Sequence, residues 1–334
     1  MLVDSRLRRR ATRFTLQWHL THACELHCRH CYDRTKLIAP KIEQAMGVLD
    51  QVQTFCEHHE VETSVCFSGG NPFLYKPIFE VYAEAVNRGY AVSVLGNPVD
   101  DETLDRLCAI QKPRYFQVSL EGLELHNDHI RGPGFFNRVM EFLPRLKERG
   151  IRAVVMTTLT RDNAKDVVPL ARLLRTRADR YAYNRLAQVG EGAALAHPDK
   201  ETYGRFMIDW LEEGLENKRL GYKDNLFNIY RHELGQKLYG GCTGFGCGQA
   251  FNFVALLPDG EVHACRKYPS PLGNIYERSL VEIYGSELAE QYRRGCTECD
   301  GCAIRHKCGG CAAVTHGYGL DPFVERDPHC FMFD

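Results

Sequence analysis

The chain reads as an α/β protein, an open, partial (β/α)6 barrel followed by a cysteine-rich C-terminal domain. Three observations carry that reading. From residue 14 to about 190, six strand-like stretches alternate with helix-like ones, the pattern of parallel strands covered by helices. From Gly240 onward the periodicity fades while Gly and Cys become dense, as in loops wrapped around metal. Eleven of the fifteen cysteines fall into two spacing groups, one in each part.

The expected strands are Phe14–Leu20, Thr63–Ser68, Ala91–Leu95, Tyr115–Leu120, Ala153–Leu159 and Arg180–Leu186. Each is short, rich in Val, Phe, Tyr and Thr, and flanked by Gly, Asn or Asp. Between them, Ile42, Ala45, Met46, Leu49, Val52 and Cys56 recur at helical steps. Leu104, Leu107 and Cys108 mark a later helix with Asp100 or Asp101 as N-cap, and Phe142, Leu143 and Leu146 another that ends at Gly150. Residues 199–218 predict an amphipathic helix with Tyr203, Phe206, Met207, Trp210, Leu211 and Leu215 on one stripe. Asp259-Gly260 signals a hairpin turn. The expected units are an N-terminal tail (1–13), the barrel (14–195), a bridging helical segment (196–239) and the cysteine-rich domain (240–334). Arg6, Arg8, Arg9 and Arg10 are expected to be a solvated basic run in that tail.

A chain of 334 residues supports a core without disulfide staples. A net charge of −1 gives no reason to expect a nucleic acid or an anionic membrane as partner. No apolar run resembles a signal peptide or a membrane span, so a cytoplasmic location is expected. In a reducing compartment clustered cysteines read as metal ligands or reactive thiols rather than disulfides.

The first group is Cys24-x3-Cys28-x2-Cys31, directly after the first strand and followed by Tyr32. A 4Fe–4S cluster takes one thiolate per iron, so three thiolates leave one iron open to a non-protein ligand. The second group holds Cys242, Cys247, Cys265, Cys299, Cys302, Cys308, Cys311 and Cys330, enough for two closed clusters. Zinc suits parts of this pattern as well: the first loop has His22, His27 or His30 as a fourth ligand, and spacing alone does not separate zinc from iron in the second group. Cys56, Cys66 and Cys108 read as small core residues, and Cys296 is a surplus thiol or a substitute for Cys299. In barrels of this kind chemistry sits at the C-terminal ends of strands. Gly69-Gly70, Gly96-Asn97-Pro98 and Ser119-Leu120-Glu121-Gly122 follow strands there, with Glu121 and Arg185 given surface or structural roles.

The Cys24–Cys31 loop resembles the signature of the radical S-adenosylmethionine (SAM) superfamily. That resemblance implies SAM chelated at the open iron and cleaved to a 5′-deoxyadenosyl radical. It further implies Tyr32 near adenine. Ser68-Gly69-Gly70-Asn71-Pro72 corresponds to a Gly-Gly-Glu-Pro segment at the methionyl amino group, with Asn71 in place of Glu. Ser119 and Arg131 correspond to ribose and carboxylate contacts, and Asn184-Arg185-Leu186 through Gly190 to a segment near adenine. The run Cys247-x12-Gly260-x4-Cys265, Cys299-x2-Cys302-x5-Cys308-x2-Cys311 and Cys330 resembles the SPASM iron–sulfur extension. By order, that resemblance assigns Cys242, Cys247, Cys265 and Cys311 to one auxiliary cluster and Cys299, Cys302, Cys308 and Cys330 to the other.

The resemblance implies an enzyme that oxidatively modifies a ribosomally made peptide, similar to maturases forming thio- or seleno-oxazole rings. Its partners would be a Cys-containing precursor peptide and an external electron donor of flavodoxin or ferredoxin type. Thirteen residues before the first strand are too few for a winged-helix leader-binding domain, so either a separate protein presents the peptide or the barrel rim binds it. Rival readings are a radical SAM enzyme acting on a tetrapyrrole side chain or a sulfatase, and a non-enzymatic electron carrier or zinc-bound interaction protein. Sulfatase-type enzymes place an acid after the GX4C cysteine, where this chain has Arg266.

Overall fold

The computed structural model describes residues 1–4 and 9–333. Two short strands, β1 (Leu2–Asp4) and β2 (Arg9–Ala11), pair antiparallel. Barrel strands β3 (Arg13–Thr21), β4 (Glu62–Gly69), β5 (Ala91–Leu95), β6 (Phe116–Ser119), β7 (Ala153–Leu159) and β8 (Arg180–Arg185) run parallel in sequence order. The helices among them are α1 (Ile42–His59), α2 (Ile78–Asn87), α3 (Asp101–Ile110), α4 (Glu124–Arg131), α5 (Phe135–Glu148) and α6 (Ala164–Leu174). Then come α7 (Lys200–Glu216) and α8 (Phe227–Glu233), strands β9 (Phe253–Leu256), β10 (Glu261–His263) and β11 (Pro271–Asn274), and helices α9 (Leu280–Tyr284), α10 (Glu287–Arg294) and α11 (Ala312–Gly317).

Alternation builds the core. Phe14, Leu16, Trp18 and Leu20 of β3 are fully buried toward the helices, with Phe14 4.4 Å from Phe55 of α1 and Trp18 6.1 Å from Phe67, ring to ring. The intervening Thr15, Gln17 and His19 share the opposite, barrel-lining face. The Asp100 side chain caps α3 by accepting from the Thr103 N–H. α7 lays Trp210 against Tyr181 and Tyr183 of β8, supplying the helix of the sixth βα unit. Leu215, placed on that stripe by periodicity, is exposed, and Leu211 is only half-buried.

Several expectations change. The 1–13 segment is not a solvated tail in its described residues. Leu2 and Ala11 are buried, and Arg9 pairs with Asp4 while donating to the Cys247 and Arg293 carbonyls. Arg6 and Arg8 lie outside the described residues. The cysteine-rich part also holds more regular structure than its composition suggests. The expected hairpin forms as β9–β10, and β9 adds parallel to β3, with Thr15 opposite Phe253 and Trp18 opposite Leu256. One nine-stranded sheet, ordered β11-β10-β9-β3-β4-β5-β6-β7-β8, therefore runs through both parts. Among the described residues no helix is long and apolar enough to cross a membrane.

Arg185, at the end of β8, fastens the two parts together. Its side chain is fully buried, donates to Asp224 before α8 and to both oxygens of Asp327 near the C-terminus, and lies over the Tyr203 ring. The Asp327 carboxylate also accepts from the Cys311 N–H at 2.9 Å. Removing one partner of a buried, hydrogen-bonded ion pair leaves an uncompensated charge. Asp327→Ala is thus expected to lower the unfolding free energy by about 3–5 kcal/mol, read as a fall in urea midpoint. Arg205→Ala, which breaks an exposed i,i+4 pair with Glu201, should leave the midpoint unchanged.

Candidate functional site

The Cys24–Cys31 loop emerges from β3 and is laced to three other parts of the barrel. Gly70 N donates to Thr21 O and Asn71 N to Ala23 O, both at 2.8 Å. Arg29 N donates to Ile130 O of α4 at 3.0 Å, and Glu191 N, beyond β8, to Cys31 O at 2.9 Å. A Cβ on Gly69 would stand 2.2 Å from Thr21 O, and one on Gly70 2.3 Å from Ala23 O. The glycine pair thus lets the second strand end press directly on the cysteine loop. Gly190, at φ +56°, does the same from the sixth strand, since a Cβ there would meet Tyr32 O at 2.6 Å.

Cys24, Cys28 and Cys31 are half-buried in this loop. Arg131, the last residue of α4, reaches Cys28 Sγ at 3.6 Å and pairs with Glu121. Its own short helix was not visible in the sequence, because only Asn127 and Ile130 of α4 are buried. Glu121 is not a surface residue: it is 1% exposed, bonds His30 at 2.8 Å and accepts from the Thr158 N–H at 2.7 Å. Ser119 ends β6 half-buried, on the barrel-lining face beside Gln117. Leu186 is fully buried, with its N–H bonded to Leu159 O. Tyr32 lies under the Arg266 guanidinium, 4.6 Å from its ring, and Arg266 pairs with Asp33. Glu25 accepts from the side chains of Asn71 and Asn97.

Glu25, Glu121 and Arg266 were not foreseen as parts of the site. Arg266 and Glu25 carried one signal, their positions beside Cys265 and Cys24, whereas Glu121 meets its partners only in space. Among the described residues no three His, Cys, Asp or Glu side chains converge as ligands of one metal ion. The C-terminal thiols gather in two places. Cys299, Cys302, Cys308 and Cys330 line one cleft. Cys242, Cys247, Cys265 and Cys311 are mutual neighbours, and Lys267 Nζ lies 3.8 Å from Cys311 Sγ. Burial pushes the Cys247, Cys265 and Cys308 thiols up, Cys265 to about 11, and neighbouring thiols add to the rise at Cys247. Cys296 lines an adjoining cleft together with Cys299 and Cys308. Cys66 is buried beside Tyr115, whereas Cys56 and Cys108 are half-buried.

Burial alone would push the Glu121 carboxyl up. His30, Arg131 and the Thr158 N–H outweigh it and hold the group down at about 2. A carboxyl depressed in the folded state adds stability above its unfolded value near ~4.3, and that stability drains away as pH falls toward ~2. Glu121→Gln should therefore destabilise the protein at pH 7 by about 3 kcal/mol, with the difference from the parent shrinking between pH ~4 and ~2 in urea titrations.

Comparison with known proteins supplies the family. The radical SAM superfamily profile matches residues 18–174, and that of the SPASM iron–sulfur cluster-binding domain matches residues 247–312. The mycofactocin maturase MftC of Mycolicibacterium smegmatis is 28% identical over 94% of this chain and 82% of its own. The AdoMet-dependent heme synthase of Methanosarcina barkeri is 26% identical over 94% of this chain and 95% of its own. In fold, the chain superposes on Streptococcus suis SuiB bound to its precursor peptide SuiA with a TM-score of 0.72 at 17% identity, covering 98% of this chain and 77% of that one. With its barrel, its cysteine loop at the strand ends and its C-terminal thiol groups, this chain is a radical SAM enzyme with a SPASM domain, a family whose cofactors are 4Fe–4S clusters and SAM.

Proposed function

We propose that the chain is a peptide maturase. It takes a hydrogen atom from a ribosomally made, Cys-containing peptide and modifies that peptide oxidatively, by ring or crosslink formation. The observation that carries this is the division of the thiols into one group of three at the barrel mouth and two of four beyond it. In this reading Cys24, Cys28 and Cys31 hold an open 4Fe–4S cluster. Cys242, Cys247, Cys265 and Cys311 hold a closed one, and Cys299, Cys302, Cys308 and Cys330 another. When bound, these groups and SAM supply a hydrogen-abstracting radical and a route out for the surplus electron.

The donor sets suit such clusters. Cys299, Cys302, Cys308 and Cys330 share one cleft, the arrangement that four thiolates closing a single cluster require. Buried thiols that hold one another protonated need a strongly positive centre beside them to ionise and become ligands. Around the open site the chain's own residues bind and orient the cofactor. Gly69 and Gly70 set the loop, Tyr32, Leu186 and Ser119 border the nucleoside, and Arg131, whose Nε and Nη2 are held by Glu121, turns its remaining Nη1 edge toward Cys28 and the cofactor carboxylate. Residues 14–195 act as the catalytic barrel, 196–239 as the connection and 240–334 as the auxiliary domain. The enzyme works in the cytoplasm with a flavodoxin- or ferredoxin-type donor. The peptide reaches the rim directly or on a separate recognition protein.

Resemblance to a heme synthase supports a second reading, in which a tetrapyrrole side chain occupies the barrel mouth. Product mass separates the two. A Cys-rich precursor peptide should come out lighter by hydrogen. Unchanged peptide mass with abundant 5′-deoxyadenosine, or turnover of a coproporphyrin instead, counts against the maturase. Replacing Cys24, Cys28 and Cys31 together by Ala should lower iron from roughly twelve to roughly eight per chain and abolish SAM cleavage.

A further inference from the structure

Position 71 is where the Gly-Gly-Glu-Pro segment carries a carboxylate, and this chain has Asn71 there. A carboxylate nevertheless stands at that spot, brought from the cysteine loop. Asn71 Nδ2 donates to both oxygens of Glu25, at 3.1 and 3.0 Å. Asn97 Nδ2 donates to Glu25 Oε1 at 3.0 Å and lies 3.7 Å from Cys24 Sγ. Both amides are buried, 5% and 7% exposed, in the loops that follow β4 and β5. Glu25 itself is exposed.

Asn71 is also fixed from behind: its Oδ1 accepts from Phe73 N, and its own N–H donates to Ala23 O. An exposed glutamate ordinarily turns to water, yet this one is held by two immobilised donors. A carboxylate has about four acceptor positions, and the three amide contacts leave capacity for a cation. Among the described residues no lysine or arginine pairs with it. The pairing also accounts for the amide at position 71, because a second carboxylate there would face Glu25 at close range and repel it.

We propose that Glu25, oriented by Asn71 and Asn97, receives the α-ammonium group of SAM, the task left open by the amide at position 71. This rests on the radical SAM reading above. The alternative role for Glu25 is that of a strut pinning the loop, and ligand selectivity tells the two apart.

The test uses anaerobically reconstituted protein and equilibrium dialysis against SAM and against its analogue lacking the α-amino group. Glu25→Gln keeps the size and removes the charge. Its Kd for SAM should rise about tenfold or more, the loss of one charge-assisted hydrogen bond, while its Kd for the des-amino analogue stays within about twofold. The exchanged pair, Glu25→Asn with Asn71→Glu, trades amide for carboxylate and should bring the SAM Kd back to within about threefold of the parent. Iron content and visible absorbance establish that each variant is equally loaded. SAM binding by Glu25→Gln as tight as the parent's, or an equal loss for both ligands, overturns the assignment. A parent protein that carries its iron and binds neither ligand overturns the radical SAM reading itself.

Discussion

One buried guanidinium holds the working parts in register. Arg185 leaves the last barrel strand and ends between Asp224 and Asp327. Through the Asp327 carboxylate it orients the backbone of Cys311, and the Asp327 carbonyl accepts from Cys330 N at 2.8 Å. One thiol from each C-terminal group is therefore referred to the same aspartate. The Arg185 carbonyl also accepts from Lys267, two residues past Cys265. Taking these charges from water is unfavourable, and near-complete hydrogen bonding is what makes the arrangement tenable.

Cys265, Arg266 and Lys267 form the second link. Consecutive side chains serve a C-terminal thiol group, the Tyr32–Asp33 turn of the cysteine loop and the β8 terminus. Displacing any one of them strains the other two, since three adjacent residues have little freedom to move apart. The acid that another enzyme class carries at position 266 is replaced here by a cation stacked on Tyr32.

Much of this was legible in the chain. Six strands could be read because each is a short run rich in Val, Phe, Tyr and Thr bounded by Gly, Asn or Asp, and in β3 apolar and polar positions also alternate, as in Phe14-Thr15-Leu16-Gln17-Trp18. The α3 cap could be read because Asp100 and Thr103 are local. Helix α4 could not, because its buried side is a single asparagine and a single isoleucine while Leu125 faces water. Nor could the β3–β9 pairing, which joins segments more than two hundred residues apart, or the bond between Glu25 and Asn71. Long-range polar partners leave no periodicity. Arg9 misled for a related reason: a basic run signals solvent until a buried aspartate is found beside it.

The shared sheet has a consequence for biogenesis. Until Phe253–Leu256 leaves the ribosome, one side of β3 has no strand beside it, although the other five barrel strands are already complete. Unprotected strand edges invite pairing with other chains. A product truncated short of Phe253 would thus be an aggregation hazard as well as an inactive fragment, and the auxiliary domain acts as the edge guard of the catalytic one.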